Sequence, residues 1–130
     1  MSSKPHQRPI SPYMLGPYYR FQITSLLSIT SRLTGVYLTV VTAPLAIIWM
    51  LALVFAPDLF MSIQGLLSGW IGKLLAFGTV FSVAYHLANG VRHLAWDTGR
   101  FFTKPQIRQT GYLMLVVTVL IIALTYWVAA

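Results

Sequence analysis

The sequence predicts an all-α integral membrane protein with three transmembrane helices, and two observations carry that prediction. The composition is 57% hydrophobic and only 8% charged, whereas about a quarter of the residues in a soluble domain are charged. Three windows, residues 33–57, 74–91 and 109–130, contain no Lys, Arg, Asp or Glu. Each approaches or exceeds the roughly 18 to 20 residues that cross about 30 Å of hydrocarbon.

Two regions follow from this pattern. Residues 1–22 are rich in proline and lack an apolar core, so they predict an extended, cytoplasmic interfacial arm rather than a signal peptide. Residues 23–130 form the transmembrane domain, with helices expected at about 23–55, 70–97 and 110–128. The first helix is longer than a bilayer requires, and Pro44 is expected to kink it because proline lacks the N–H of a helical hydrogen bond.

The basic residues indicate the orientation in the membrane. The loop after the first span has no Lys or Arg. The basic residues cluster in two other places: before or at the start of the first span (Lys4, Arg8, Arg20, Arg32) and around the loop after the second (Arg92, Arg100, Lys104, Arg108). The positive-inside rule therefore places the N-terminus in the cytoplasm and the C-terminus outside. The net charge of +7 is explained by these basic residues at the ends of the spans. Because the chain has no soluble basic face, it is not expected to bind nucleic acid.

Small residues are frequent along the second helix and favour close packing against other helices or a flat ligand. They are Gly72, Ala76, Gly78, Ser82, Ala84, Ala88 and Gly90. Three helices bury little surface among themselves, so partner subunits are expected.

His86, Gly90 and His93 share one face of the second helix, because spacings of four and seven residues return to nearly the same angle. Gly90 leaves room for a planar group one turn from His86, as a haem beside an axial imidazole needs. The alternative is a neutral histidine that hydrogen-bonds across the bundle. The two histidines are about 10.5 Å apart along the axis and cannot ligate one iron. With His6 in the arm, a bis-histidine haem needs its second imidazole from another chain.

Ser28 and Arg32 form a second constellation, four residues apart on the first helix. An arginine beside hydroxyl groups at the membrane interface can donate hydrogen bonds to a quinone carbonyl or a carboxylate. The alternative is an arginine that extends to the headgroups beside serines at a helix end.

Two stretches carry a family resemblance: "RPISPYMLGPYYRFQITSLLSITSRLTG" and "HLANGVRHLAWD". With three spans at the right separation, the chain resembles the cytochrome b membrane-anchor subunit of succinate dehydrogenase over nearly its whole length. The resemblance implies half of an anchor bundle, completed by a second small anchor subunit that supplies the other haem histidine. It also implies a flavoprotein with FAD, an iron–sulfur protein with its clusters, haem b, and ubiquinone as substrate.

The resemblance also implies site residues. His86 matches the axial ligand to haem b, and Ser28, Ile29 and Arg32 match the wall of the ubiquinone pocket. Arg32, His93 and Ser31 occupy the positions of haem propionate contacts, although Ser31 stands where many members of the family have histidine.

The implied function is a subunit of succinate dehydrogenase (quinone), EC 1.3.5.1, in the tricarboxylic acid cycle and aerobic respiration. No catalysis is expected from the isolated chain. The expected location is a bacterial cytoplasmic membrane rather than a mitochondrial inner membrane. The alternatives are a purely structural anchor and the haem-binding anchor of another respiratory oxidoreductase.

Overall fold

The computed structural model describes residues 22–129, which are helical apart from short connections. The elements in chain order are α1 (Ile23–Tyr37), a π-helical turn (Leu38–Thr42), α2 (Ala43–Phe55), α3 (Pro57–Ser68), α4 (Trp70–Asp97) and α5 (Lys104–Ala129). Three stretches have the length and composition of membrane spans: Ile23–Phe55, Trp70–Asp97 and Lys104–Ala129. The predicted all-α membrane class is therefore confirmed. The predicted arm lies outside the described residues, except for Gln22.

The first span stays helical past Pro44. Where a kink was expected, the helix contains the π-helical turn just before the proline. Pro44 has no N–H to donate to the preceding turn. The N–H of Ala43 donates to the carbonyl of Leu38, five residues back, so the helix widens just before the proline. Such π-bulges insert into α-helices without ending them.

The connection after the first span contains a helix, α3, where the sequence reading placed only a loop. Pro57 occupies its first turn with Asp58, and both residues suit a helix N-terminus. Trp49 of α2 holds α3 in place: its indole N–H donates to Gln64 Oε1 (3.2 Å), and its ring stacks on Phe60 with centroids 5.7 Å apart.

The third span begins at Lys104, earlier than the predicted position near 110. Gly99 lies just beyond α4 with φ of 77°, a conformation that glycine adopts at little cost. Thr103 then starts α5, since its N–H donates to Gln106 Oε1 (3.3 Å) and its carbonyl accepts from Ile107 N–H (2.9 Å). This is half of a capping box, with Pro105 in the first turn. The segment that carries Lys104 and Arg108 is therefore helical.

The three spans pack as one bundle. α4 contacts both α1 and α5, and α1 also contacts α5. Their common core consists of Leu27, Tyr85, Ala88 and Met114. Tyr85 is 1% exposed, and its hydroxyl donates to the Leu27 carbonyl (2.6 Å). This hydrogen bond ties α4 to α1 in the part of the bundle where the predicted site residues lie.

Farther along α1, a glycine of α4 permits close approach of the two helices. The Tyr37 hydroxyl donates to the Leu75 carbonyl (2.9 Å). A Cβ atom on Gly78 would lie 2.9 Å from the Tyr37 hydroxyl oxygen, so a side chain there would displace the ring. At this position, the small residue serves helix packing.

Candidate functional site

A cavity of about 310 Å³ lies between the N-terminal half of α1 and the C-terminal end of α4. One wall comes from α1 and the other from α4, and the lining residues are Thr24, Leu27, Ser28, Ser31, Arg32, Asn89, Arg92, His93 and Trp96. Four predicted site residues, Ser28, Ser31, Arg32 and His93, therefore meet at one cavity although they come from two helices.

The α1 wall carries the predicted quinone contacts. Ser28 and Arg32 lie one turn apart and are both exposed, and no hydrogen bond within the described part of the chain engages Arg32. Within residues 22–129, its guanidinium donors therefore have no partner, as the predicted ligand contact requires. Ile29 does not line the cavity. Its side chain is 44% exposed on a neighbouring face, and its predicted role on the apolar wall stays a prediction.

The α4 wall contains a polar residue that sequence reasoning missed, Asn89. It is 6% exposed, and its amide Nδ2 donates to Ser31 Oγ (3.2 Å). An asparagine inside an apolar span is itself a signal, because membrane helices carry polar side chains where they meet a partner helix or a ligand. Ser31 is thereby held against α4 at the wall of the cavity.

Arg92 lines the same cavity, but its guanidinium is engaged with α5. Its Nε donates to Thr110 Oγ1 (3.2 Å), and its Nη2 donates to the Ile107 carbonyl (3.1 Å). The guanidinium carbon also lies 4.2 Å from the centre of the Trp96 ring, within cation–π range. Arg92 therefore joins α4 to α5.

His93 and Trp96 complete the α4 wall. Their rings meet edge to face, with centroids 5.0 Å apart. The Trp96 indole nitrogen is buried and has no hydrogen-bond partner within residues 22–129. His93 itself is exposed, so its imidazole can reach a charged group at this end of the bundle.

His86 is not among the cavity-lining residues. It lies about 10.5 Å deeper than His93, two turns along α4. Its Nε2 is 2.8 Å from Thr34 Oγ1 of α1, a hydrogen bond across the bundle of the kind that the alternative interpretation of His86 predicts, with a partner that the sequence did not identify. The structure thus separates the two histidines into a deep position and an interfacial one.

Two glycines, Gly35 and Gly90, differ in the room that they leave near His86. A Cβ atom on Gly35 would stand 3.5 Å from the imidazole Cε1 and 3.6 Å from Nε2, and one on Gly90 would meet nothing within 4 Å. Gly35 therefore brings α1 into van der Waals contact with the imidazole, while the open space at Gly90, one turn from His86, fits a flat group. Arg32 and His93 are exposed nearer the end of the bundle and can meet carboxylates there. Among residues 22–129, His86 is the one imidazole at that depth.

Comparisons with known proteins identify the family. The model of the succinate dehydrogenase/fumarate reductase transmembrane subunit family matches residues 4–125. The succinate dehydrogenase cytochrome b556 subunit of Rickettsia prowazekii is 37% identical over 121 residues, which cover 93% of this chain and 92% of that protein. The cytochrome b556 subunit of Paracoccus denitrificans is 29% identical, with 91% and 88% covered.

A mitochondrial relative matches as well. The succinate dehydrogenase cytochrome b560 subunit of Sus scrofa is 35% identical over 117 residues. The match covers 87% of this chain and 66% of the pig protein, so the chain spans about two thirds of that relative's length. The resemblance found in the sequence is thus confirmed, and the chain belongs to the succinate dehydrogenase/fumarate reductase transmembrane subunit family, as a succinate dehydrogenase cytochrome b membrane subunit.

Proposed function

We propose that this chain anchors a succinate:ubiquinone oxidoreductase (EC 1.3.5.1) in the membrane, binds haem b through His86 and contributes Ser28 and Arg32 to the site of quinone reduction. The observation that carries the proposal is the single cavity shared by Ser28, Arg32 and His93, with an imidazole two turns deeper. In this role the chain serves the tricarboxylic acid cycle and aerobic respiration. The isolated chain catalyses nothing by itself.

The quinone site draws its support from the α1 wall of the cavity. Its volume of about 310 Å³ is at the lower end of ligand pockets, which run from about 300 to 1,000 Å³, and suits a quinone head group. Ser28 donates a hydrogen bond to one ring oxygen. Arg32 stabilises the negative charge that develops on that oxygen as electrons arrive, because preorganised donors act most strongly where charge develops. Ile29 adds apolar contact beside them.

The haem site draws its support from the surroundings of His86. The open space at Gly90 suits a planar macrocycle beside His86, and Arg32, His93 and Ser31 are proposed to contact its propionates. When bound, haem b supplies one-electron storage near the quinone. His93 is too far along α4 to be the second ligand, so we assign that ligand to a histidine of a second small anchor subunit.

The remaining parts of the complex belong to partner chains. A flavoprotein with FAD and an iron–sulfur protein dock at the cytoplasmic end, where the basic residues cluster. The clusters of the iron–sulfur protein would supply the electrons for quinone reduction. The membrane is proposed to be bacterial, with the N-terminus in the cytoplasm and the C-terminus in the periplasm, in keeping with the positive-inside rule.

The test is purification of the tagged chain from membranes with whatever accompanies it. We expect a flavoprotein, an iron–sulfur protein and a second small anchor, together with a low-spin b-type signal in the reduced-minus-oxidised spectrum. His86→Ala abolishes that signal, whereas His93→Ala, the matched control on the same helix face, retains it. An unchanged signal in His86→Ala would refute ligation by His86, and different copurifying partners would refute the complex.

A further inference from the structure

The Thr34 hydroxyl makes more contacts than the helix around it requires. Thr34 is 6% exposed. Its Oγ1 lies 2.8 Å from the Thr30 carbonyl, 3.1 Å from the Ser31 carbonyl and 2.8 Å from His86 Nε2. The first two contacts are the usual bonds of a threonine to its own helix. The third reaches across to α4 and engages a ring nitrogen of the proposed haem ligand.

This contact occupies the nitrogen that an iron ion needs. A hydroxyl has one proton and two lone pairs, so Oγ1 can serve a helix carbonyl and the imidazole together. Whichever of the two groups donates, Nε2 is engaged by Thr34. An imidazole nitrogen bound to iron has no further lone pair or proton for a hydrogen bond, so Nε2 can serve Thr34 or iron at one time.

The second ring nitrogen, Nδ1, is poorly placed for a porphyrin. It is bonded to the carbon that carries Cβ, so a wide planar macrocycle on Nδ1 would collide with the backbone of α4. Nε2 is at the far end of the ring, where a macrocycle does not meet the backbone of α4. The ligand nitrogen is therefore Nε2.

We propose that Thr34 is a positioning residue that competes with haem iron for His86 Nε2 and thereby lowers the affinity of the site for haem. The inference rests on the proposed role of His86 as axial ligand. Thr34 holds the imidazole in one orientation and satisfies Nε2 until the iron is bound. Thr34 loses little on release, because its hydroxyl keeps the Thr30 and Ser31 carbonyls as partners.

The direction of the effect follows from this competition. Thr34→Val keeps the size and branching of the side chain but removes the hydroxyl. Without haem, the variant leaves Nε2 unpaired inside the bundle, which is costly. With haem, Nε2 is on the iron in both proteins, so the substitution costs nothing at that atom. Haem affinity is therefore expected to rise about fivefold, which corresponds to about 1 kcal/mol, the typical net worth of one hydrogen bond.

The test compares haem affinity in the purified complex. Cells with a limited haem supply express the complex, the haem-depleted fraction is titrated with haemin, and binding is followed by the absorbance of the low-spin b-type band. Thr34→Val is expected to bind about fivefold tighter, with its haem midpoint potential unchanged, and Thr34→Ser is expected to behave as the wild type because it retains the hydroxyl. Thr118→Val is the matched control, since Thr118 is 3% exposed and bonds only to the Met114 carbonyl of its own helix (2.8 Å).

Several results would overturn the competition. Unchanged or weaker haem binding in Thr34→Val would exclude a competing hydroxyl. So would tighter binding in both Thr34→Val and Thr34→Ser, because the serine variant keeps the hydroxyl. A shifted midpoint potential would mean that Thr34 acts on bound haem instead. Failure of both Thr34→Val and Thr34→Ala to assemble, while Thr34→Ser assembles, would assign the hydroxyl to folding. A wild-type complex that shows no b-type signal at all would refute the proposed function, whereas an unresponsive Thr34→Val in a haem-loaded complex would refute this inference alone.

Discussion

Two arginines line the same cavity, and they differ in what holds them. Arg92 is 8% exposed and uses its guanidinium on Thr110, the Ile107 carbonyl and the Trp96 ring. Arg32, on the opposite wall, is exposed, and no hydrogen bond among residues 22–129 involves it. One arginine is held by the bundle, and the other has no partner among the described residues, as its proposed role in ligand binding requires.

The difference comes from the third helix. α5 begins early enough to present a threonine hydroxyl and a first-turn carbonyl to Arg92, and these acceptors compensate the desolvation of a buried cation. No described segment offers Arg32 equivalent acceptors. Arg92 is thus structural because a neighbouring helix supplies acceptors, whereas the described residues supply none to Arg32, which is why a ligand-binding role is proposed for Arg32.

The largest expected effect separates the two arginines by activity. Arg32→Ala is expected to lower succinate-driven quinone reduction by roughly 100- to 1,000-fold, the usual loss when one donor to developing charge is removed. Ser28→Ala should act in the same direction. Succinate oxidation with an artificial acceptor is expected to survive in both variants, because the acceptor takes the electrons before they reach the quinone site.

Lys73→Ala is the control, since Lys73 is an exposed basic residue at the start of α4, outside the basic cluster, and does not line this cavity. Normal quinone turnover in Arg32→Ala would break the comparison, because Arg32 would then be as structural as Arg92.

Arg92→Ala is expected to affect stability. The substitution leaves the Ile107 and Thr110 acceptors without their charged donor and removes the cation–π contact, which together cost about 2 to 3 kcal/mol. Thermal unfolding of the detergent-solubilised complex, followed by circular dichroism, measures this as a lower midpoint. Arg92→Lys should recover part of the loss, since it keeps the charge but not the geometry of two separate donors. An unchanged midpoint together with lost quinone binding would assign Arg92 to the ligand.

Tyr85→Phe tests how much one hydrogen bond contributes to holding α4, which carries Arg92, against α1, which carries Arg32. The substitution removes the hydroxyl that donates to the Leu27 carbonyl (2.6 Å) and keeps the ring in the core. Hydrogen bonds between membrane helices contribute about 0.6 kcal/mol on average, so a loss of about 0.6 to 1 kcal/mol is expected in the same unfolding measurement. Tyr112→Phe, at a residue 52% exposed, serves as control, and an equal effect of the two would show that the interhelical bond contributes nothing.

Gly111→Ala gives the smallest expected effect and tests the packing beside Arg92. A Cβ atom there would lie 2.9 Å from Leu27 Cδ1 and 3.8 Å from Arg92 Nη2. The end of a leucine side chain can move aside, so the net cost should stay below about 1 kcal/mol after the gain from better helix propensity. Gly65→Ala is the control, because a Cβ there meets nothing within 4 Å. A larger loss in Gly111→Ala, with the Arg92 contacts broken, would show that α5 cannot adjust.

Local signals explain which elements could be predicted. The first and second spans follow from long apolar runs, and their bounds agree closely with prediction. The early start of α5 was missed because its first turn is polar, although Thr103, Pro105 and Gln106 form a recognisable helix start. α3 was missed for a similar reason, since its 12 residues are too few for a span and hydropathy alone does not separate a short helix from a loop.

The contacts of the site can likewise be separated into those that local spacing predicts and those that it does not. Spacing on one helix places Ser28 and Arg32 together, and separates His86 from His93, without any tertiary information. Asn89 against Ser31 and Thr34 against His86 are contacts between residues more than fifty positions apart. No local pattern encodes such pairs, because they depend on how two helices rotate and cross.

By itself, the sequence determined the membrane class, the three spans and the family, because hydrophobic length and motif spacing are local properties of the chain. Only the tertiary structure decided which polar groups are satisfied within the bundle. Arg92 is engaged by α5 and His86 by Thr34, whereas Arg32 has no such neighbour among the described residues. In a medium without water, the availability of a donor or ligand atom depends on what the adjacent helix presents to it, and that is settled only when the helices pack.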